Sequence, residues 1–330
     1  MTKEVINRNV KTDVIRGLAL LLMFFAHSAP YIEDNSLTSM TIFRIICSLS
    51  APIFLFLVGF NLKKGCNLNN LKKGLFILLS AVLIDLFIWN ILPFYSFDVL
   101  YLIGFSIILF PLWLRLNKYL LFGLIVFLFT TTFIYQVNNL YEFSLNEISL
   151  SQLKQFSTVT LLKNLFFDGW FPLFPWFSIV IFGYLVKNNI VQITKIIYIG
   201  ISSFLLGLFL IFYNKPTYLR DFAIEIFYPF SFSYLLIAFG WIIILFNIPL
   251  NYNSKLLSPL SKLGKVSLFI YVFHLTVYHI FFSKLQNQTT NFYISNLVFI
   301  VLFFSVAYIL ESIKNKYKID NILFNYIFGK

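Results

Sequence analysis

The sequence predicts an all-α, polytopic membrane protein: a bundle of about ten transmembrane helices with both termini in the cytosol. Of its 330 residues, 59% are hydrophobic and only 12% are charged, and the mean hydropathy is +0.84. A soluble core of this length does not need so much apolar surface, so the solvent is a lipid bilayer. No polar stretch is long enough to fold separately, and we predict one domain over 1–330.

Ten apolar segments are long enough to cross a bilayer, and charges or turn residues separate them. They cover 13–31, 40–61, 74–92, 98–116, 118–136, 171–186, 196–213, 230–248, 264–283 and 292–313. The connection 137–170 is predicted to be an external loop with room for a short interfacial helix, and 314–330 a cytosolic tail.

The distribution of basic residues sets the predicted orientation. The net charge is +12, but the lysines stand in short clusters between apolar runs, which is the positive-inside pattern rather than a nucleic-acid surface. In the ten-span topology all but six of the 25 Lys and Arg fall on the side of the termini. We therefore expect a multi-pass protein of the plasma membrane with cytosolic termini and no nucleic-acid partner. The six on the outer side are Arg44, Lys154, Lys163, Lys215, Arg220 and Lys284.

The first apolar segment carries a lone histidine. Eleven helical steps from Arg16 to His27 cover about 16 Å of an apolar layer about 30 Å thick, so His27 lies just past the middle. An ionisable group at that depth is a candidate functional residue. Two interpretations stay open: a catalytic or proton-handling group, or a neutral hydrogen-bond donor that fixes helix packing.

Asp85 is the one acidic residue deep inside an apolar run. Twelve residues from Lys73 place it about 18 Å from the cytosolic face, close to the depth of His27. A His27–Asp85 pair would fix the imidazole tautomer and leave the other nitrogen able to take a proton. The alternative is a buried pair without a reaction.

Three features on or near the outer side are candidate substrate contacts. Arg44 either snorkels to the outer interface or stabilises an anionic acceptor or oxyanion. Gly169, Pro172 and Pro175 prevent an ordinary helix start and indicate a bent, aromatic entry. The side chains that would face a carbohydrate there are Asp168, Trp170 and Trp176; otherwise the segment is an interfacial anchor.

The ninth segment carries a polar stripe. Tyr271, His274 and Tyr278 share one helical face, and His274 lies near mid-bilayer by the same measure. Such a stripe must face protein or water, so Tyr271 and His274 are substrate-site candidates, with packing as the alternative.

Basic residues converge on the cytosolic side. They serve as topology signals and contacts to anionic lipid, and some can hold the phosphates of a nucleotide-like donor. The candidates for such a donor site are Arg16, Asn61, Lys63, Lys64 and Lys265. No metal-ligand spacing, P-loop or dinucleotide-binding motif occurs, so we expect no metal.

Several motifs, taken in order, resemble those of heparan-α-glucosaminide N-acetyltransferase-like membrane proteins. They are Asp-Val-Ile-Arg-Gly-Leu-Ala at 13–19 followed by His27, and the stretches 51–60, 98–106, 172–176 and 263–274. The Arg-Gly-Leu-Ala and histidine opening is shared with the wider acyltransferase-3 group, whose paired arginines are replaced here by lysines. Tyr101 stands where relatives carry histidine or glutamine.

The resemblance implies a membrane acyltransferase that uses acetyl-CoA or another acyl-CoA as co-substrate. The acceptor would be an extracytoplasmic glycan or other polar molecule, modified at a sugar amine or hydroxyl. His27 matches the expected catalytic histidine, and Asp85 would orient it. The expected partners are the bilayer, acyl-CoA and this acceptor, with a homodimer left open.

Two other classes remain open from the residues. Intramembrane histidine and aspartate also form proton relays, so a proton-coupled transporter or lipid-linked-sugar flippase could use His27 and Asp85. An inactive membrane scaffold is the third interpretation.

Overall fold

A computed structural model of the chain confirms the all-helical class. It describes residues 9–28, 37–62, 68–138, 156–214, 231–252, 254–285 and 292–317, and no strand occurs in these ranges. The helices are, in chain order, α1 (Val10–Ser28), α2 (Leu37–Ser48), α3 (Ser50–Asn61), α4 (Leu68–Ile84), α5 (Val99–Ile108), α6 (Phe110–Trp113), α7 (Lys118–Asn138), α8 (Thr158–Lys163), α9 (Leu173–Lys187), α10 (Ile197–Asn214), α11 (Phe232–Asn247), α12 (Ser258–Lys265), α13 (Ser267–Leu285) and α14 (Phe292–Tyr317).

Short polar side chains fix where several helices begin. Each accepts a hydrogen bond from a backbone N–H of the first turn, which otherwise has no partner within the helix. The capping residues are Asn9 for α1, Asp98 for α5, Ser157 for α8 and Ser231 for α11. Two π-helical turns, Asp85–Trp89 and Asn164–Asp168, extend α4 and α8.

The chain divides into two compact units, each considered by itself. The terminal unit takes the described residues of Met1–Tyr31 and Pro249–Lys330 and contains α1, α12, α13 and α14. The central unit takes those of Ile32–Ile248 and contains α2 to α11.

Three helical segments in the described ranges are long and apolar enough to cross a membrane. They are Ile42–Asn61, Lys118–Tyr135 and Ile193–Tyr213, which coincide with predicted spans. Two bent pairs raise the number to five if each is one span: Thr158–Asp168 with Leu173–Lys187 at 43°, and Ser258–Lys265 with Ser267–Tyr278 at 83°.

Helix breaks account for part of the difference between these spans and the ten predicted. The predicted span 98–116 is divided at Leu109 into α5 and α6, and 264–283 starts in α12 and turns sharply at Val266. Helix α11, within 230–248, has only 16 residues. Ten spans, the cytosolic termini and the single domain therefore stay predictions. So do the external loop, in which 139–155 lie outside the described residues, and the tail, described only to 317.

Candidate active site

Helix α1 presents His27 on its buried face. Gly17, Leu20, Phe24 and His27 follow one another at spacings of three, four and three residues, which is one side of a helix. Leu20 and Phe24 are buried and His27 is half-buried. The apolar pattern of α1 thus turns the histidine toward the other helices of the terminal unit.

Helix α13 supplies the second histidine. Tyr271, His274 and Tyr278 are all buried, and His274 is 0% exposed. The Tyr278 hydroxyl donates a hydrogen bond of 2.9 Å to the backbone carbonyl of Phe24. This bond ties α13 to α1 one turn before His27 and sets the distance between the two helices.

The two histidines face each other. The ring centroids of His27 and His274 are 5.1 Å apart, and Tyr278 lies 6.3 Å from His27 and 6.1 Å from His274. The Phe24 ring, stacked on Phe303, covers His274 at a centroid distance of 5.7 Å. The sequence indicated each histidine separately, and only the structure brings them together.

Hydrogen bonding fixes the tautomer of His274. Its Nδ1 is bonded to the backbone carbonyl of Tyr271, and because a carbonyl can only accept, Nδ1 carries the hydrogen. A neutral imidazole then keeps its lone pair on Nε2. This Nε2 is buried and has no hydrogen-bond partner among the described residues. The arrangement is a buried proton acceptor beside a second imidazole.

The charged residues near α12 are paired. Arg16 donates to the Asp13 carboxylate at 3.1 Å and to the Gly264 carbonyl at 3.3 Å, which joins α1 to α12. The Lys265 ammonium lies 2.7 Å from the Glu311 carboxylate on α14. Arg16 and Lys265, two of the five residues predicted for the donor site, therefore also hold helices together.

Asp85 has its own network in the central unit. The carboxylate is 0% exposed, and it accepts hydrogen bonds from Ser96 Oγ at 2.8 Å and from the Tyr101 hydroxyl at 2.6 Å. Sequence reasoning missed both partners, although Tyr101 was marked by its departure from the family pattern. His27 and Asp85 belong to different units, so their pairing stays a prediction.

The Asp85 network continues into the aromatic entry. The Ser96 backbone carbonyl accepts a hydrogen bond of 2.8 Å from the backbone N–H of Trp170. The Phe97 carbonyl accepts one of 2.9 Å from the backbone N–H of Phe171. The chain after α4 is therefore hydrogen-bonded to the segment before α9. Asp85 binds the side chain of Ser96, which is one of the residues in this contact.

The predicted sugar-facing residues lie in different surroundings. Asp168 Oδ2 accepts from the Tyr135 hydroxyl at 2.9 Å, and Trp170 lies edge-on to Trp89 at 5.6 Å. Trp176 is fully buried. A sugar ring could stack on Trp176 only after its neighbours moved.

The remaining candidates are at the ends of α2 and α3. Arg44 is 9% exposed on α2, and the Asn61 side chain donates to the Leu57 carbonyl at 2.7 Å. Lys63 and Lys64 lie outside the described residues. The described part of the chain contains no cluster of three or more His, Cys, Asp or Glu that could hold a metal ion.

Helices long and apolar enough to cross a membrane, with two histidine rings 5.1 Å apart among packed helices, are the features of a membrane protein with ionisable groups in its interior. Residues 8–203 match the family described as heparan-alpha-glucosaminide N-acetyltransferase, catalytic. This is more than half of the 330 residues, so the chain belongs to that family of membrane transferases. Comparisons with curated proteins and with solved structures give no match.

The family match and the histidine pair overlap only in part. The matched residues contain His27 and Asp85 but end in α10, before α13 begins. His274 is therefore joined to the site by its position beside His27.

Proposed function

We propose that this protein transfers an acyl group, most simply acetyl, from cytosolic acyl-CoA to an extracytoplasmic sugar amine or hydroxyl. The observation that carries the proposal is the His27–His274 pair, with ring centroids 5.1 Å apart and an unbonded, buried Nε2 on His274. Membership of an N-acetyltransferase family supports the reaction class.

The proposed chemistry requires one proton acceptor. As the acceptor nitrogen or oxygen attacks the thioester carbonyl carbon, an imidazole of the pair removes its proton. The carbon–sulfur bond breaks, and the CoA thiolate leaves and takes up the proton. In the second route His27 attacks the thioester carbonyl carbon first, the carbon–sulfur bond breaks and the CoA thiolate leaves. The acceptor then attacks the acyl-imidazole, His27 is released, and the acceptor's proton passes through the second imidazole to the thiolate.

Each residue has a defined part in this scheme. His27 acts on the acceptor or the acyl group, and His274 receives and returns the proton through Nε2. The Tyr271 carbonyl holds His274 in the required tautomer. Asp85 keeps its proposed role of orienting His27. The proposed donor-phosphate contacts are Arg16, Asn61, Lys63, Lys64 and Lys265, and the proposed acceptor contacts are Arg44, Asp168, Trp170, Trp176 and Tyr271.

The test is acetyl transfer by the purified full-length protein in detergent, with labelled acetyl-CoA and glucosamine as acceptor. We expect H27A and H274N each to lower kcat about 100-fold or more, since positioned acid–base groups contribute about 10²–10⁴. T276V is the matched control, because among the described residues the Thr276 hydroxyl bonds only to the Val272 carbonyl of its own helix.

Thermal protection by acetyl-CoA separates lost chemistry from lost folding. H274N should be protected as well as the wild type. A wild-type protein that neither binds nor consumes acetyl-CoA would contradict the enzyme proposal. Acceptor flux in proteoliposomes without thioester consumption would support the transporter interpretation instead.

A further inference from the structure

The exposed surface of the terminal unit contains a groove with basic residues at one end. The end with the basic residues, which we call the upper part, has a volume of about 580 Å³ and lies between α12 and α14. The residues that line it are Lys255, Ser258, Pro259, Lys262, Phe304, Ser305, Tyr308 and Ile309. Two lysines and two serines thus stand beside an apolar wall.

A second, apolar hollow adjoins the first along the exposed surface of α14, and all the residues that line it belong to this helix. It has a volume of about 470 Å³ and shares Ser305 with the upper part. From Tyr308 to Leu297 the helix rises about 16 Å, which is roughly half the thickness of a bilayer's hydrocarbon core. The combined groove has the length and polarity of one leaflet's lipid molecule.

Helix α14 separates this groove from the histidine site. Phe299, Phe303 and Ala307 are buried and spaced by four residues, and the Phe303 ring stacks on Phe24. Val301 and Tyr308, more than half exposed, belong to the groove side of the same helix. The groove therefore lies on a different side of α14 from the histidine site, and different residues line it.

Helix α12, which carries Lys262 and Lys265, is bent sharply away from α13. The bend of 83° between Ser258–Lys265 and Ser267–Tyr278 makes α12 nearly perpendicular to α13. If α13 crosses the bilayer, α12 lies along the interface, where lysines meet lipid head groups.

The charge at this end is positive. Glu311 contacts Lys265 at 2.7 Å and Lys262 at 3.7 Å, while the Lys262 ammonium also lies 4.4 Å from the centroid of Tyr308. Lys255 is exposed. One carboxylate does not neutralise three lysines, so a negatively charged group is favoured here.

We propose that this groove binds an anionic phospholipid, with its phosphate between Lys255 and Lys262 and an acyl chain along Val301, Val298 and Leu297. The proposal does not depend on acyl transfer. In the predicted topology the lipid belongs to the cytosolic leaflet.

The experiment measures thermal stabilisation of the full-length protein in a neutral detergent by phosphatidylglycerol. Phosphatidylcholine with the same chains, sn-glycerol 3-phosphate and inorganic phosphate are the comparison probes. We expect phosphatidylglycerol alone to stabilise the protein. K255Q or K262Q should each weaken the apparent affinity about fivefold, and the double variant more than either. K195Q, at an exposed lysine of the central unit, should bind like the wild type.

Three results would overturn the proposal. If phosphatidylcholine stabilised the protein equally, the charge of the head group would not contribute to binding. If either soluble phosphate stabilised it equally, the apolar groove would not contribute. Unchanged affinity in K255Q, a substitution at an exposed lysine, would contradict the role assigned to Lys255.

Discussion

At the scale of single residues, His274 and Asp85 are both buried, and each is held by named hydrogen-bond partners. His274 is held in one tautomer by the Tyr271 carbonyl, and Asp85 has both oxygens bonded by hydroxyl groups. A buried polar group that loses a partner costs more than the bond contributed, so each partner is testable.

Tyr101 is expected to stabilise the central unit through Asp85. Y101F removes the donor to one Asp85 oxygen and the acceptor of the Phe94 backbone N–H, and should lower the free energy of unfolding by about 1–3 kcal/mol. Y184F is the matched control, because the described residues supply no hydrogen bond to that buried tyrosine's hydroxyl. Denaturant unfolding in one detergent compares them, and a Y101F protein as stable as Y184F would contradict the role of this bond.

A second prediction separates the two roles of Asp85. If Asp85 orients His27, D85N lowers kcat with little change in KM, and Y101F leaves kcat per folded molecule unchanged. Should D85N and Y101F lose stability alike and retain full kcat, Asp85 would be only the anchor of Ser96 and Tyr101. Acetyl transfer, normalised to folded protein, is the measurement.

At the scale of elements, close backbone contact positions the helices. A Cβ at Gly264 would lie 1.9 Å from the Asp13 carbonyl oxygen, and one at Gly17 would lie 2.1 Å from that of Leu260. In the central unit, α3 and α9 approach in the same way at Gly59 and Gly183. Small residues that let helix backbones touch are common at helix contacts in membranes.

The α1–α12 contact predicts a strong effect of one methyl group. G264A must push α12 away from α1, weakening the Arg16 contact with the Gly264 carbonyl, and we expect a loss of about 1–3 kcal/mol of stability. G123A on α7 is the matched control, since nothing lies within 4 Å of a Cβ there. Thermal unfolding of both variants decides, and equal melting temperatures would refute the tight contact.

At the scale of the whole molecule, the positive-inside pattern makes the topology testable. Single cysteines at Leu256 and Lys316 should lie on the cytosolic side, and one at Phe156 on the outer side. All three positions are exposed. In a background without Cys47 and Cys66, an impermeant maleimide applied to intact cells should label only F156C. Labelling of L256C or K316C would contradict the orientation.

Hydropathy and helix periodicity were sufficient for much of this picture. They predicted the helical class, the spans at 40–61, 118–136 and 196–213, and the stripe of Tyr271, His274 and Tyr278. They did not predict the breaks at Leu109 and Val266. Apolar residues continue through the break at Leu109, so a sum of hydropathies registers no interruption there. At Val266, between Lys265 and Ser267, the polar residues were assigned to the start of the predicted span 264–283 and not to a bend.

The sequence by itself determined that the chain is helical and apolar, and that His27, Asp85 and His274 are ionisable groups in apolar surroundings. These properties depend on residues near one another in the chain. Only the tertiary structure decided that His27 meets His274, and that Asp85 bonds to Ser96 and Tyr101. The reason is that an apolar helix fixes the depth of a polar side chain, whereas the packing of distant helices selects its partner.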